Sequence, residues 1–163
     1  NDFWVWEALN AVSPFILVCE YNAVFGDIYS FTIPYRPDFQ RTRAHYSNLY
    51  FGASLPALVE LCKAKDYTFI GTNSAGSNAF FLRNDVATSV LPYISKITGY
   101  NSKIREARDK AGLLAFLDGD NRGNEIKHLP LIDLSTREAK SLLDYDEFMS
   151  RQWRYKYKRT WQP

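Results

Sequence analysis

The sequence lacks the short motifs that mark most common catalytic and nucleotide-binding sites. It contains no C-x-x-C, H-E-x-x-H, G-x-S-x-G or G-x-G-x-x-G pattern and no Walker loop, which excludes the chemistries that those patterns carry. The only histidines, His45 and His128, lie far apart in the chain, so we expect no metal site. The stretch 118–123 faintly resembles a calcium loop, but it lacks the terminal glutamate.

Other features that the sequence lacks indicate where the protein is located and what it binds. No apolar run is long enough to cross a membrane and no signal peptide is visible, so we expect a cytoplasmic protein that does not bind membranes. Cys19 and Cys62 are the only cysteines, and both fall in apolar patterns that predict buried, unbridged thiols. A net charge of +2 over 163 residues argues against a polyanion binder. Whether two copies associate stays open.

The stretch that organises the chain is 45–84, which follows an order of loop, helix, strand, turn and strand. Ser54 is a predicted N-cap, Pro56 lies in the first turn, and apolar residues recur at helical spacing, so a helix is expected over 54–64. Aromatic and β-branched residues predict strands at 67–71 and 79–83. The turn residues at 73–78 make these two strands an antiparallel hairpin.

Another strand is predicted earlier in the chain, after an N-terminal helix that stops at Ser13 and Pro14. The apolar run 15–19 is typical of a strand buried on both faces. We therefore expect a mixed sheet in which strand 15–20 runs parallel to 67–71 and 79–83 is antiparallel to 67–71. The long segment 22–53 between them is rich in aromatics, which argues for a functional loop rather than disorder.

Two side chains are candidates for chemistry. Glu20 follows the buried strand, and ligands of open α/β sheets bind beyond the carboxyl ends of strands. The alternative role for Glu20 is a cap or a loop hydrogen bond. His45 stands in a loop among Tyr46, Ser47 and Tyr50, where substrate contact and simple loop packing are both open.

The second half of the chain has weaker patterns. We expect a short helix from 84 to about 93, a strand-like run at 113–117, a turn at 118–123 and an extended piece at 129–134. Ser135 and Glu138 fit a capping box that would open a helix to about 143. The tail 151–163 has five basic residues and no acidic one. It could stack on nucleic acid, but folding back onto its own domain is favoured.

Several longer words of the sequence carry a family resemblance. Over roughly 1–133 the chain resembles FkbM-type, S-adenosylmethionine-dependent class I methyltransferase-like proteins. The similar words are 1–6 (NDFWVW), 20–22 (EYN), 24–26 (VFG), 34–35 (PY), 45–50 (HYSNLY), 52–55 (GASL), 78–83 (NAFFLR) and 105–109 (REARD).

The resemblance implies an α/β fold, the C-terminal part of a Rossmann-like methyltransferase sheet, with parallel strands plus an antiparallel hairpin strand and a C-terminal extension. It divides the chain into a methyltransferase-like domain, 1–134, and a helical, basic-aromatic extension, 135–163. In such folds the glycine-rich loop and the acid that hold the cofactor would precede Asn1. We therefore expect the C-terminal half of a longer protein, inactive as this chain; the alternative is that only a short tag preceded it.

The implied activity is methyl transfer from S-adenosylmethionine, bound in the full-length parent, to a hydroxyl of a sugar or other small metabolite. Glu20 or His45 would be the catalytic base. Asp2 is the residue of this chain that we assign to the cofactor. Residues assigned to the substrate are Asn22, Tyr35, Tyr46, Ser47, Tyr50, Asn73 and Asn78. The alternative is a non-catalytic carbohydrate- or protein-binding module that uses the aromatic loop 22–52.

Overall fold

The computed structural model describes residues 1–102 and 107–161. The similar word at 105–109 and the tail's last residues, 162–163, therefore fall partly or wholly outside the described residues. The helices are α1 (Asp2–Ala8), α2 (Arg41–Ala44), α3 (Leu55–Ala64), α4 (Asn84–Val90), α5 (Gly119–Ile126) and α6 (Arg151–Lys156). The strands are β1 (Ile16–Glu20), β2 (Phe31–Thr32), β3 (Tyr67–Thr72), β4 (Asn78–Arg83), β5 (Ile97–Tyr100), β6 (Leu131–Asp133), β7 (Glu138–Lys140) and β8 (Lys158–Trp161).

The chain is a mixed α/β protein whose described strands form small antiparallel sheets. The main sheet has the order β1-β4-β3, and β4 is antiparallel to both neighbours. The predicted antiparallel hairpin of 67–71 and 79–83 is confirmed. β1 and β3 run in the same direction, as predicted, but β4 lies between them, so they form no parallel ladder with each other. Within 1–102 and 107–161 no Rossmann-like parallel sheet is seen.

Helix α3 forms where local signals predict it. The Ser54 hydroxyl accepts a hydrogen bond from the Ala57 N–H at 3.3 Å, and proline stands in the first turn. Leu55, Leu58 and Cys62 are completely buried on its apolar face. This face packs the helix on β3 and α1 and connects the sheet to the N-terminal helix.

Strand β1 is an edge strand, and the prediction that both its faces are buried is wrong. Ile16 and Val18 are 60% and 52% exposed, whereas Cys19, on the opposite face, is buried. The apolar run predicted burial correctly for the face toward α1 and α3. A run of this length does not specify what covers the second face.

Two clusters of buried side chains form the interior. The sheet core lies between the main sheet, α1 and α3, and it includes Trp6, Phe69, Phe81 and Trp153. The loop core lies under the segment 22–52, and it includes Phe25, Phe31, Leu49, Ile126 and Leu131. The aromatic side chains of the long loop therefore serve largely as a second hydrophobic core.

The second half of the chain departs most from prediction. Residues 118–123, predicted as a turn, belong largely to α5, and 113–117 contains no strand. The predicted helix from 135 is wrong: Ser135 donates from its N–H and its hydroxyl to Asp133 Oδ1, at 2.9 and 2.6 Å. This makes 134–137 a turn between β6 and β7. Three predictions for this and other parts of the chain are confirmed: the helix that begins at 84, the extended piece at 129–134 and the unbridged state of both cysteines.

The C-terminal segment folds back onto the rest of the chain, as favoured. Trp153 is completely buried in the sheet core, and β8 pairs with β5. The buried Asp27 carboxylate accepts bonds from the Ser150 N–H and hydroxyl, both at 2.7 Å, and from Arg159 at 3.2 Å. β7 likewise pairs with β6, so strands on both sides of residue 134 share sheets. None of the helices described in 1–102 and 107–161 is long and apolar enough to cross a membrane.

Candidate functional site

Glu20 ends β1 and stands opposite Asn78 of β4. Its carboxylate is about half exposed and lies 3.7 Å from the Arg41 guanidinium. Arg41 is itself fixed, because its Nε donates to the Asn48 carbonyl at 2.7 Å and its guanidinium lies 3.7 Å from the centre of the Phe51 ring. The pair places an accessible carboxylate at the carboxyl end of β1, where the sequence predicted it.

A small cavity of about 30 Å³ lies beside Glu20. Asn22, Ser77, Gly76 and Arg122 are among its lining residues. This volume is enough for about one water molecule, and small-molecule sites are roughly ten times larger. The described residues at this end of the sheet therefore form the edge of a site rather than a complete substrate pocket.

Asn22, which we assigned to the substrate, is a structural residue in this fold. It is 2% exposed, its amide donates to the carbonyls of Leu49 and Phe51 at 2.7 and 3.0 Å, and its oxygen accepts from the Val24 N–H at 3.0 Å. These bonds tie the start of the long loop to its end. Nearly all of its bonding capacity is used internally.

Asn73 and Asn78 lie at the two ends of the hairpin turn. Asn73 Oδ1 accepts from the backbone N–H groups of Ser77 and Asn78 at 3.0 and 3.1 Å, which closes the turn. A Cβ on Gly76, whose φ is +74°, would lie 2.4 Å from the Asn101 carbonyl. The turn is therefore locked against the backbone that follows β5, and its position beside Glu20 is rigid.

His45 forms a second group of polar side chains, directly after α2. Its Nδ1 lies 2.7 Å from the Ser47 hydroxyl and 3.3 Å from the Ser47 N–H. Since the N–H can only donate, Nδ1 is an acceptor and the neutral ring carries its proton on Nε2. Burial, and then the positive charge of His128, lowers the pKa of His45, while Glu125 opposes the shift.

Tyr46 stacks on His45 with the ring centres 4.2 Å apart, and its hydroxyl donates to the Glu125 carboxylate. This hydrogen bond raises the pKa of Tyr46. Ser47 is completely buried, so its hydroxyl orients the imidazole and has no access to a ligand.

The remaining assigned residues are dispersed. Tyr50 is buried and donates to the Pro130 carbonyl, and burial raises its pKa to about 12. Tyr35 is an exposed residue of the long loop. Asp2 begins α1. A hydrogen bond from Cys62 lowers the pKa of the Cys19 thiol, and burial and the negative charge of Asp2 oppose this shift.

Two short helices connect the Glu20 and His45 groups. α2 carries Arg41 at its start and is followed by His45, about 6 Å along the axis. α5 places Arg122 at the cavity beside Glu20 and Glu125 at Tyr46, one turn apart. We define Glu20, Arg41, His45, Arg122 and Glu125 as the polar rim.

Sequence reasoning found Glu20 and His45 but missed the other three members of the rim. Arg41 belonged to a basic stretch without a predicted partner. Arg122 and Glu125 fell at or near a segment predicted as a turn. Their spacing of three residues was the available signal that both lie on one face of a helix.

No family model, curated protein or solved structure matches the chain. Among the residues that the structure describes, no group of three or more histidine, cysteine, aspartate or glutamate side chains is arranged to hold a metal ion.

Proposed function

We propose that the chain forms the acceptor side of an S-adenosylmethionine-dependent methyltransferase that acts on a hydroxyl of a sugar or small metabolite. The observation that carries the proposal is the order β1-β4-β3, in which β4 runs antiparallel between two strands of common direction. In the class I methyltransferase fold that the sequence resembles, the last strand likewise inserts antiparallel beside its neighbours. The strand order thus supports the resemblance independently of the sequence words.

The described residues do not fit the whole cofactor. The cavity beside Glu20 has room for about one water. Gly76, which lines it, does not offer open backbone either, because a Cβ there would collide with Asn101. A Cβ on Gly26 would likewise collide with Phe148. The proposal therefore assigns most of the cofactor contacts to another polypeptide segment, and we derive no chemical step through the cofactor.

The open edge of β1 is where such a segment would join. The backbone groups of Phe15 and Tyr21 bond to β4, so by alternation those of Ile16 and Val18 point away from the sheet. Both side chains are also more than half exposed. An apolar edge strand of this kind is a template for a further strand.

Within this proposal the polar rim has two roles. Glu20 is the base for the acceptor hydroxyl, since its carboxylate is accessible and can accept a proton. His45 carries its proton on Nε2, so in this arrangement it is a hydrogen-bond donor that positions the acceptor. Positioning of the acceptor supplies much of the rate in a transfer of this type.

Calorimetry tests the proposal in two parts. This chain alone should bind S-adenosylmethionine with a dissociation constant weaker than about 10 µM, which corresponds to about 7 kcal/mol. A longer protein that includes the residues encoded before Asn1 should bind it more tightly. Failure of the longer protein to bind the cofactor would rule out the methyltransferase function.

The role of Glu20 is tested in that longer protein by release of S-adenosylhomocysteine in the presence of a panel of sugars. Glu20→Gln should lower the rate at least about 100-fold, as expected for loss of a general base. The matched control is Glu138→Gln, since Glu138 is an exposed carboxylate in β7. Equal rates for the two variants would show that Glu20 is not the general base.

The alternative function, a binding module built on the aromatic loop 22–52, has less support. Phe25, Phe31 and Tyr50 of this loop are buried in the loop core. Tyr29, Tyr35 and Tyr46 are its most exposed aromatic side chains, and Tyr46 donates a hydrogen bond to Glu125.

A further inference from the structure

A second cavity lies along the edge of β3 that faces away from β4, on residues that the polar rim does not use. Its volume is about 340 Å³, within the range of small-molecule sites. The last turn of α3 forms one wall, with Val59 and Lys63, and the paired strands β5 and β8 form the opposite wall, with Ile97 and Trp161. It shares no lining residue with the cavity beside Glu20.

The walls are apolar and one of them is flat. Trp161 packs edge-on against Phe69 with ring centres 5.7 Å apart. The position of the indole depends on Gly99, because a Cβ there would lie 2.6 Å from Trp161 Nε1 and 2.9 Å from Leu55 Cδ2. The absence of a side chain at Gly99 thus lets a large aromatic ring form the wall.

The polar groups of this cavity lie on one side of it. Thr68 donates to Asn84 Oδ1 at 2.8 Å, which leaves the Asn84 amide N–H₂ group available. The Asn84 backbone N–H donates to the Asp66 carbonyl. Because hydrogen bonds alternate along an antiparallel pair, the backbone of Thr68 also bonds to β4. The backbone groups of Tyr67 and Phe69 therefore point away from β4, toward the cavity. Hydrogen-bond donors therefore converge from the side chains and from the strand edge.

Lys63 supplies the charge. Within residues 1–102 and 107–161 its ammonium makes no ion pair, although Lys65, two residues on, is held by the Leu9 carbonyl and by Asn10. A lysine ammonium is a compact point charge that can pair with a single carboxylate, whereas planar, bidentate recognition of phosphate favours arginine.

We propose that this cavity is a binding site for a small planar, apolar carboxylate. The apolar body lies between Trp161, Ile97 and Val59, and the carboxylate meets the Lys63 ammonium at the mouth. The Asn84 amide and the Phe69 N–H are the further donors within reach of such a ligand. This site is independent of the methyltransferase proposal, since it needs no residue of the polar rim.

The test uses 2-naphthoate as the probe and 2-naphthamide as its neutral counterpart of the same shape, with the intact chain followed by NMR and calorimetry. The chain should bind 2-naphthoate in the micromolar to millimolar range, with resonance shifts at Trp161, Phe69 and Val59. Lys63→Gln should weaken 2-naphthoate about tenfold and leave 2-naphthamide unchanged. Lys65→Gln, at the same end of α3 but off the cavity, should change neither.

Two variants test the apolar walls. Trp161→Ala should weaken both probes, and Val59→Phe, which fills the cavity from a partly buried position on α3, should do the same. Circular dichroism verifies that each variant is folded. The proposal is overturned if 2-naphthoate does not bind at millimolar concentration, if Lys63→Gln and Lys65→Gln behave alike, or if the shifts map to the polar rim.

Discussion

The two edges of the main sheet are finished in different ways. At the β3 edge the chain covers itself: the Tyr100 N–H donates to the Thr72 hydroxyl at 2.9 Å, and β8 pairs with β5 to extend this cover. At the β1 edge the backbone groups of Ile16 and Val18 have no neighbouring strand in the described sheet. At the β3 edge, the covering strands leave a cavity between themselves and α3. At the β1 edge, the backbone is exposed and could pair with another strand.

The largest effect is expected at the anchor of the covered edge. Trp153 holds α6, and hence β8, in the sheet core, where it is completely buried and donates to the Ala23 carbonyl at 3.3 Å. Trp153→Ala should lower the free energy of unfolding by about 3–5 kcal/mol in a urea titration. The control is Tyr155→Ala in the same helix, which is 70% exposed and should change it by about 0.5 kcal/mol or less.

The second prediction concerns the hairpin turn that joins β3 to β4. Gly76→Ala should lower the free energy of unfolding by about 3 kcal/mol, because it adds a collision with the Asn101 backbone to an unfavourable positive φ. Gly112→Ala isolates the second effect, since its φ of +82° is similar but no atom lies within 4 Å of the new Cβ. It should cost about 1 kcal/mol. Equal losses for the two variants would show that the turn is not locked against Asn101.

Substitution of exposed residues on β1, the open edge, should have little effect on the stability of this chain. Val18→Lys places a charge on an exposed face, so the free energy of unfolding, measured by urea titration, should change by about 0.5 kcal/mol or less. Amide hydrogen exchange sharpens the comparison. The Leu17 and Cys19 amides, which face β4, should exchange slowly and those of Ile16 and Val18 quickly. Slow exchange at all four positions would mean that the edge is covered in solution.

The smallest effect is expected at His45, beyond the carboxyl end of β1. Its pKa is lowered in the folded state, so the unfolded state binds more protons between the two pKa values. Its contribution to stability is therefore complete above about pH 6.5, the unperturbed value for histidine, and is lost as the pH falls through the folded pKa.

An NMR titration of the His45 ring tests this assignment. Its midpoint should lie below 6.5, it should rise when His128→Asn removes the neighbouring charge, and it should fall further with Glu125→Gln. If neither substitution changes the midpoint, His128 and Glu125 do not affect the pKa of His45.

The parts of the fold that the sequence predicted are those set by local interactions. The Ser54 cap, the apolar face of α3 and the turn at 73–78 act within a few residues, and each is present in the structure. The position of β4 between β1 and β3 depends on contacts across more than 50 residues, which no local pattern encodes.

The candidate site follows the same division. Glu20 could be located because a strand end is a local feature, but Arg41 and Arg122 reach it only through tertiary structure. Helix α5 was missed because its two glycines and its aspartate and asparagine residues favour a turn locally. Burial of Ile126 in the loop core accompanies the helical conformation there, an example of tertiary packing overriding propensity.

The Asp27 carboxylate has a consequence for the way in which the protein is made. Its side chain is inaccessible to solvent, and Ser150 and Arg159, its partners, lie more than 120 residues later in the chain. While the ribosome is still adding those residues, folding of the segment around Asp27 would bury a charge without compensation. The loop core should therefore remain open on the nascent chain and close only when the C-terminal segment has emerged from the exit tunnel.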